Sequence, residues 1–222
     1  MDNKSAFNVN QYDENVRKVI PSYDEIHRQS LDLIHTYFGN RGLALLDTGC
    51  GTGSFGTIAL ENLCLSELVL CDPSEKMLTD AKEKLRGQKC AFLCIGSESL
   101  DFENRFDVVT AIQSHHYFDR KTREKAVRNC FRALKSGGLF LCFENTAPFS
   151  EVGRAIGLKR VEQFSLKAGR PPEEVVSHSA RYNTDYFPIP ITEHLDLLRR
   201  TGFQTVELFF HSYMQSGFYA IK

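Results

Sequence analysis

The sequence predicts an α/β fold: one domain with a mostly parallel, seven-stranded sheet that closes with a C-terminal antiparallel hairpin. Three observations predict it. Short apolar runs alternate with longer amphipathic stretches between residues 43 and 144, an order that places helices on both faces of a parallel sheet. The first run breaks into a glycine-rich turn, LALLDTGCGTGSFG at 43–56, as a buried strand does where it turns into a helix. The last two runs, 204–211 and 217–222, are too close together for a crossover helix and therefore pair antiparallel.

The elements follow in order. Pro21 marks the start of a helix over 22–38, whose Ile26, Leu33, Ile34 and Tyr37 share one face. Strands are predicted at 43–47, 67–71, 90–95, 106–112 and 139–144. They are short and apolar, as strands covered on both faces are. Helices at 54–63, 74–86 and 120–134 fall between them. After Glu144 the alternation stops. Pro148, Pro171, Pro172, Pro188 and Pro190 interrupt residues 146–190, where at least one helix, at 152–168, and irregular connections are predicted. This stretch reads as an insertion over the carboxyl ends of the parallel strands, the place where open α/β sheets bind ligands. A helix at 191–201 stops at Gly202, placed as a C-cap. Residues 1–222 thus form one domain, with 1–40 as an N-terminal helical lid and 146–190 as the insertion.

Composition narrows the class. The 222 residues suffice for one sizeable core. With 42% hydrophobic and 25% charged residues the chain reads as soluble and globular. A net charge of −1 supplies no global field toward nucleic acid or an anionic membrane. No run approaches the roughly 18 apolar residues of a membrane span, and the polar start lacks the apolar core of a signal peptide. The seven cysteines are odd in number. Cys64, Cys71, Cys90, Cys94 and Cys142 read as small buried hydrophobes of a reducing cytoplasm, and no Cys/His set has metal-ligand spacing. A basic stretch at 120–135 (Arg120, Lys121, Arg123, Lys125, Arg128, Arg132, Lys135) reads as a solvated helix face. The alternative is a surface that positions a phosphate backbone.

The glycine turn fits two templates. Gly51-Thr52-Gly53-Ser54-Phe55-Gly56 is literally G-x-G-x-x-G, and Asp72 lies 21 residues after Gly51; this is the pattern of a dinucleotide site and of an NAD oxidoreductase. The longer string beginning at Asp47, D-x-G-x-G-x-G, places an acid at the strand end before the first glycine. It resembles motif I of the class I S-adenosylmethionine (SAM) dependent methyltransferases. The helical start and the terminal hairpin agree with that family. The resemblance implies a single Rossmann-like methyltransferase domain with SAM as cofactor. Asp47 would face the ammonium of SAM. Gly49, Cys50, Gly51 and Gly53 would let the backbone pass beneath its methionyl and ribose groups. Asp72, with Pro73 behind it, would accept from the ribose hydroxyls, and Met77 would pack on adenine. The family often has an acid directly after the glycine that follows the third strand. Here Ser97 holds that place and the acid is Glu98. The run FDVVTAIQSHHYF resembles motif IV. It would put Ile112 and Gln113 on the cofactor and Ser114, His115, His116 and Tyr117 on the acceptor side. His115 or His116 would serve as general base. Residues 134–144 look like the family's turn and fifth strand.

Arg17-Lys18-Val19-Ile20-Pro21-Ser22-Tyr23 near the start and Arg199-Arg200-Thr201-Gly202-Phe203 near the end give a layout similar to the carboxy-SAM synthase branch, which serves tRNA wobble-uridine modification. That resemblance implies a cofactor contact from Tyr23. It also implies an arginine on the penultimate helix for the extra carboxylate. Leu197 stands at that place, with Arg199 and Arg200 two and three residues on. The expected function is methyl transfer to a small-molecule acceptor. Carboxy-SAM chemistry in a tRNA pathway is the alternative. Phe7, Tyr12 and Tyr23 would contribute to the lid, and Arg181, Tyr182, Tyr186 and Phe187 to the pocket. No Asn-Pro-Pro-Tyr string or Cys-Pro pair points to base methylation. No membrane partner is expected, the location is cytoplasmic, and the oligomeric state stays open, with a homodimer among the options.

Overall fold

The computed structural model describes residues 12–222, without the side chains of Tyr12 and Glu14. Phe7 and the side chain of Tyr12 thus lie outside the described residues. Seven strands form one sheet: β1 (Leu43–Thr48), β2 (Leu65–Cys71), β3 (Ala91–Leu93), β4 (Phe106–Ile112), β5 (Leu134–Asn145), β6 (Thr205–Ser212) and β7 (Gln215–Ile221). Their order is β3-β2-β1-β4-β5-β7-β6. The first five are parallel, and β7 runs antiparallel between β5 and β6. The chain steps outward from β1 through β2 to β3, then returns to β4 on the other side of β1. That reversal opens a crevice at the carboxyl ends of β1 and β4.

The helices are α1 (Tyr12–Asn15), α2 (Tyr23–Phe38), α3 (Ser54–Asn62), α4 (Glu75–Lys84), α5 (Arg120–Ala133), α6 (Glu151–Lys167), α7 (Pro172–Ser179) and α8 (Ile191–Thr201). Side chains on a strand alternate between faces, so the sheet has two cores. Leu46, Val109 and Phe140 pack with Val127 and Cys130 of α5 and Leu197 and Leu198 of α8. Leu45, Val108 and Leu141 pack with Ile34 of α2 and Phe55 and Ala59 of α3. The α/β layout, the parallel order and the terminal hairpin match the sequence expectation.

Four details differ from it. Pro171 and Pro172 do not merely interrupt the chain. Pro172 opens α7, because the first helical position needs no amide hydrogen and favours proline's fixed φ. The buried face of α2 runs through Tyr23, Ile26, His27, Ser30 and Ile34. Tyr37 is exposed, its hydroxyl donating to the Gly137 carbonyl. Cys64 and Cys94 are exposed and Cys90 half-buried, since β3 is a three-residue edge strand and Cys64 sits before β2. The basic run at 120–135 is a solvated face only in part, with Lys121, Lys125 and Arg128 exposed. Arg123 is buried and donates to the carbonyls of His115, Phe118 and Phe187. Arg120, Arg132 and Lys135 pair with Glu124, Glu103 and Asp107. Among the described residues no helix is long and apolar enough to cross a membrane.

Candidate functional site

Strand β1 delivers Asp47 into the crevice. Its Oδ1 accepts from the Thr110 hydroxyl of β4 at 2.7 Å, while Oδ2 is buried with no hydrogen-bond partner among the described residues. Burial pushes the Asp47 carboxyl up to about 7, against the Thr110 bond and with the nearby Asp72 charge adding to the rise. The glycine turn follows. Gly49 has φ +63, and a Cβ there would lie 2.5 Å from that of Ser114. Gly51 has φ +54 and faces open space.

Asp72 fixes the far side of this turn. Its Oδ2 accepts from the Gly51 amide at 2.9 Å and its Oδ1 from the Ser74 amide at 2.9 Å. Burial raises its carboxyl, and those two amides partly offset the rise. Ser74 caps α4 by accepting from the Met77 amide, which settles Met77 on the crevice wall.

After β3, the side-chain amide of Asn129 holds the Ser97 and Glu98 carbonyls at 3.1 and 2.9 Å. Glu98 folds back over Gly96 and leaves Oε2 buried without a partner. Asp47, Asp72 and Glu98 thus stand in a row at the ends of β1, β2 and β3. They surround a cavity of about 330 Å³. Its lining holds no lysine or arginine among the described residues.

Of the residues expected at the cofactor, Tyr23, Asp47, Gly49, Cys50, Gly51, Asp72, Pro73, Met77, Ser97, Glu98, Ile112 and Gln113 all line this cavity. Gly53 does not. It caps α3 in the left-handed region and backs onto Ala81 and Leu85, so its missing Cβ serves helix packing rather than a ligand. His27 also lines the cavity and was not anticipated. It sits one turn after Tyr23, edge to face with it at 4.7 Å. The i to i+4 spacing was the available signal. Asp13 ties the N-terminal segment to the glycine turn, accepting from Thr52 and Ser54 hydroxyls at 2.8 and 3.0 Å and from Lys84 at 2.5 Å.

A smaller chamber of about 60 Å³ shares Gln113 and Tyr117 with the main cavity. Val16, Val19 and Ile20, then Leu158 and Val161 of α6, His178 of α7, and Met214 and Gln215 form its walls. Gln113 has φ +56, a left-handed backbone that is costly for a side-chain-bearing residue. Its amide donates to the Phe143 carbonyl at 2.8 Å and its side chain to Gln215 at 2.6 Å.

The two adjacent histidines part here. His116 lines the small chamber and places Nδ1 3.0 Å from Glu144 Oε2. His115 turns into the core, bonds the Ser97 hydroxyl through Nε2 at 2.9 Å and stacks on Phe140. It reaches neither cavity, so the acceptor side expected for it is not where it lies. Tyr186 lines the small chamber, whereas Arg181, Tyr182 and Phe187 do not. Phe187 instead donates its amide to the His116 carbonyl at 2.7 Å. On α8, Leu197 is in the core and Arg199 and Arg200 are exposed; this helix brings no arginine to the crevice.

The main cavity fits SAM. Asp47 and Glu98 each hold an unpartnered acceptor, suited to an ammonium and to an adenine amino group. Each carboxylate oxygen of Asp72 keeps a second lone pair for a ribose hydroxyl. The open side of Gly51 leaves the backbone bare to the ligand.

Comparison with known proteins agrees with this chemistry. The family described as "Methyltransferase domain" matches residues 45–138. The carboxy-S-adenosyl-L-methionine synthase of Staphylococcus epidermidis is 23% identical, over 99% of this chain and 96% of that protein. The malonyl-[acyl-carrier protein] O-methyltransferase of Priestia megaterium is 22% identical over 91% of this chain and 78% of that one. Among solved structures, the magnesium protoporphyrin IX methyltransferase of Synechocystis with bound S-adenosylhomocysteine (SAH) superposes with a TM-score of 0.65. It is 15% identical, covering 93% of this chain and 86% of that chain.

Proposed function

We propose that this chain, which is similar to methyltransferases in sequence and in fold, is a SAM-dependent methyltransferase that methylates a small molecule seated between the glycine turn and the 146–190 insertion. The observation that carries this reading is the pair of joined cavities, one with the carboxylate row and one walled by the N-terminal segment, α6 and α7. SAM supplies an activated methyl group on its sulfonium. The chain's task is to align an acceptor with that group and to exclude water.

In this reading Asp47 holds the ammonium, Asp72 the ribose, and Glu98 with Met77 the adenine. Gln113 and Tyr117 border both cavities and flank the transfer. Residues 12–40 and 146–190 act as the lid. A tRNA acceptor would need cations beside the site to position its phosphates, and neither cavity is lined by lysine or arginine among the described residues. The test supplies isotopically methyl-labelled SAM to separated small-molecule and tRNA pools. Label is expected in the small-molecule pool; label in tRNA alone overturns the reading.

Carboxy-SAM synthesis is favoured by the similarity over nearly the whole chain. Against it stands a cavity lining with no arginine or lysine among the described residues to hold an added carboxylate. Incubation with SAM and prephenate, followed by mass spectrometry, is expected to give no carboxylated cofactor.

A further inference from the structure

We infer that His116, held by Glu144, takes the proton from a neutral phenol- or enol-type hydroxyl in the small chamber, so that the methyl group goes to oxygen. The inference rests on the small-molecule methyltransferase reading and adds the acceptor class and the base.

Geometry comes first. Nδ1 of His116 lies 3.0 Å from Glu144 Oε2 and 3.4 Å from the Asn145 amide; an ionised Glu144 can only accept, which assigns the hydrogen to Nδ1 and leaves the Nε2 lone pair for a ligand. No hydrogen bond among the described residues uses Nε2. The ring lines the chamber, and its backbone is pinned by the Phe187 amide.

The surrounding groups single out this ring. His178 and Tyr186 face it from the insertion, Tyr117 from its own turn, His115 and His194 from behind, with Arg123 beyond them. Burial lowers His115, His178 and His194 each to about 4. Each is a poor base, and His116 alone among them has a carboxylate hydrogen bond. Burial pushes Glu144 up, but the His116 hydrogen bond works against it and its carboxyl lies below the ordinary value. It therefore stays ionised and can balance an imidazolium.

The walls select the acceptor. No Asp, Glu, Lys or Arg among the described residues lines the chamber. An amine cation would find no carboxylate there, and a carboxylate no cation. A weakly acidic neutral hydroxyl on an apolar frame suits Val19, Ile20, Leu158, Val161 and Met214. Such a hydroxyl is a poor nucleophile until deprotonated. The O–H proton moves to Nε2 of His116. The oxygen pair forms the O–CH₃ bond while the S–CH₃ bond breaks, and sulfur keeps that electron pair as a neutral thioether. The imidazolium returns its proton to water after product leaves.

The test uses 4-nitrophenol as probe on SAH-saturated protein, at a pH where the free phenol is protonated. Phenolate absorbance on binding is expected with the unmodified protein. His116→Gln is expected to keep SAH affinity, which reports its folding, and to lose the phenolate signal at least tenfold. Glu144→Gln is expected to move phenolate formation to higher pH, which a merely structural role would not do. Equal phenolate in H116Q overturns the inference. So does binding of benzylamine or benzoate in preference to the phenol, or SAH binding with no phenol uptake. Absence of SAH binding by the unmodified protein would instead sink the reading beneath it. Should H116Q not fold, calorimetry of the unmodified protein in two buffers decides. Proton transfer within the protein releases none to buffer, and release of a full proton overturns the proposal.

Discussion

The cofactor side and the acceptor side of this crevice are built differently. On the cofactor side the backbone does most of the work. Asp47 and Asp72 stand at the ends of β1 and β2 and Glu98 in the turn after β3, and the left-handed glycines Gly49 and Gly51 line the same cavity. On the proposed acceptor side, side chains from the N-terminal segment, α6, α7 and the β6–β7 hairpin converge on a chamber lined by no Asp, Glu, Lys or Arg among the described residues. The carboxyl ends of interior strands place one half, and side chains from separate helices and the hairpin place the other. Cofactor binding should therefore be sensitive to single atoms at the turn and tolerant of change across the insertion.

The largest effect is expected from Gly49→Ala. The new Cβ would meet Ser114 at 2.5 Å on a backbone with φ +63. Strain of this kind costs about 1–3 kcal/mol before the clash is counted, so SAH affinity by calorimetry should fall by roughly 100-fold or more. Gly39→Ala is the control. It has φ +64 but nothing within 4 Å of the new Cβ, and it should lower stability while leaving SAH affinity nearly unchanged. Equal losses in both variants would mean the turn acts only through fold stability.

Asp47→Asn should come next, with SAH affinity lower by about tenfold, in line with a lost charge-assisted hydrogen bond. Its pH behaviour is more diagnostic. The folded carboxyl sits at about 7, above its usual value near 4. The folded protein then binds this proton more tightly than the unfolded chain does. Stability from this group is full below pH ~4 and is lost as pH rises through about 7. The protein without cofactor should melt lower at pH 8 than at pH 5, and Asp47→Asn should melt higher than the unmodified protein at pH 8. An ammonium at Asp47 reverses the preference, so SAH binding at pH 6 should release up to about one proton. Asp72 is raised in the same direction, and the variant separates the two. Undiminished proton release from Asp47→Asn would remove Asp47 from the ammonium.

These two residues were legible in the sequence because their roles are local. A strand, an acid and a glycine turn are contiguous, and Asp72 repeats the pattern one strand later. The acceptor side was not legible, for two physical reasons. Its walls come from residues as far apart as Val16, Val161, Tyr186 and Gln215, and no periodicity links them. His115 and His116 look alike in sequence, yet they lie in a 3₁₀ turn, which rotates successive side chains by about 120°. One enters the core and one the chamber. The partner that distinguishes them, Glu144, lies on the neighbouring β5, where it ends an apolar run like any strand-terminal acid. Pro172 misled for a related reason. Proline breaks a helix interior and favours a helix start, and only the structure shows which position it holds.

Asp13→Ala probes the join between the two sides. It removes three hydrogen bonds that tie the N-terminal segment to Thr52, Ser54 and Lys84. The ion pair with Lys84 is partly exposed, so its worth is small. A loss of about 1 kcal/mol, roughly fivefold in SAH affinity, is expected. Faster SAH dissociation in stopped flow with little change in association would mark Asp13 as a latch over the bound cofactor. A fall in association alone would mark it as part of the entry path.

The smallest effect on the cofactor is expected from Leu158→Ala. Leu158 is half-buried on α6, a helix with one fully buried residue, Ser165, and with Val152 and Ile156 exposed. Truncation there removes a wall of the small chamber and touches no residue of the carboxylate row. SAH affinity should stay within about twofold, while stability drops by about 1 kcal/mol because the site is only partly closed from water. The enlarged chamber should admit bulkier acceptors. A loss of SAH affinity as large as that of Asp13→Ala would show that α6 and the glycine turn respond as one unit. The contrast between a strand-built cofactor side and an independent acceptor wall would then fail.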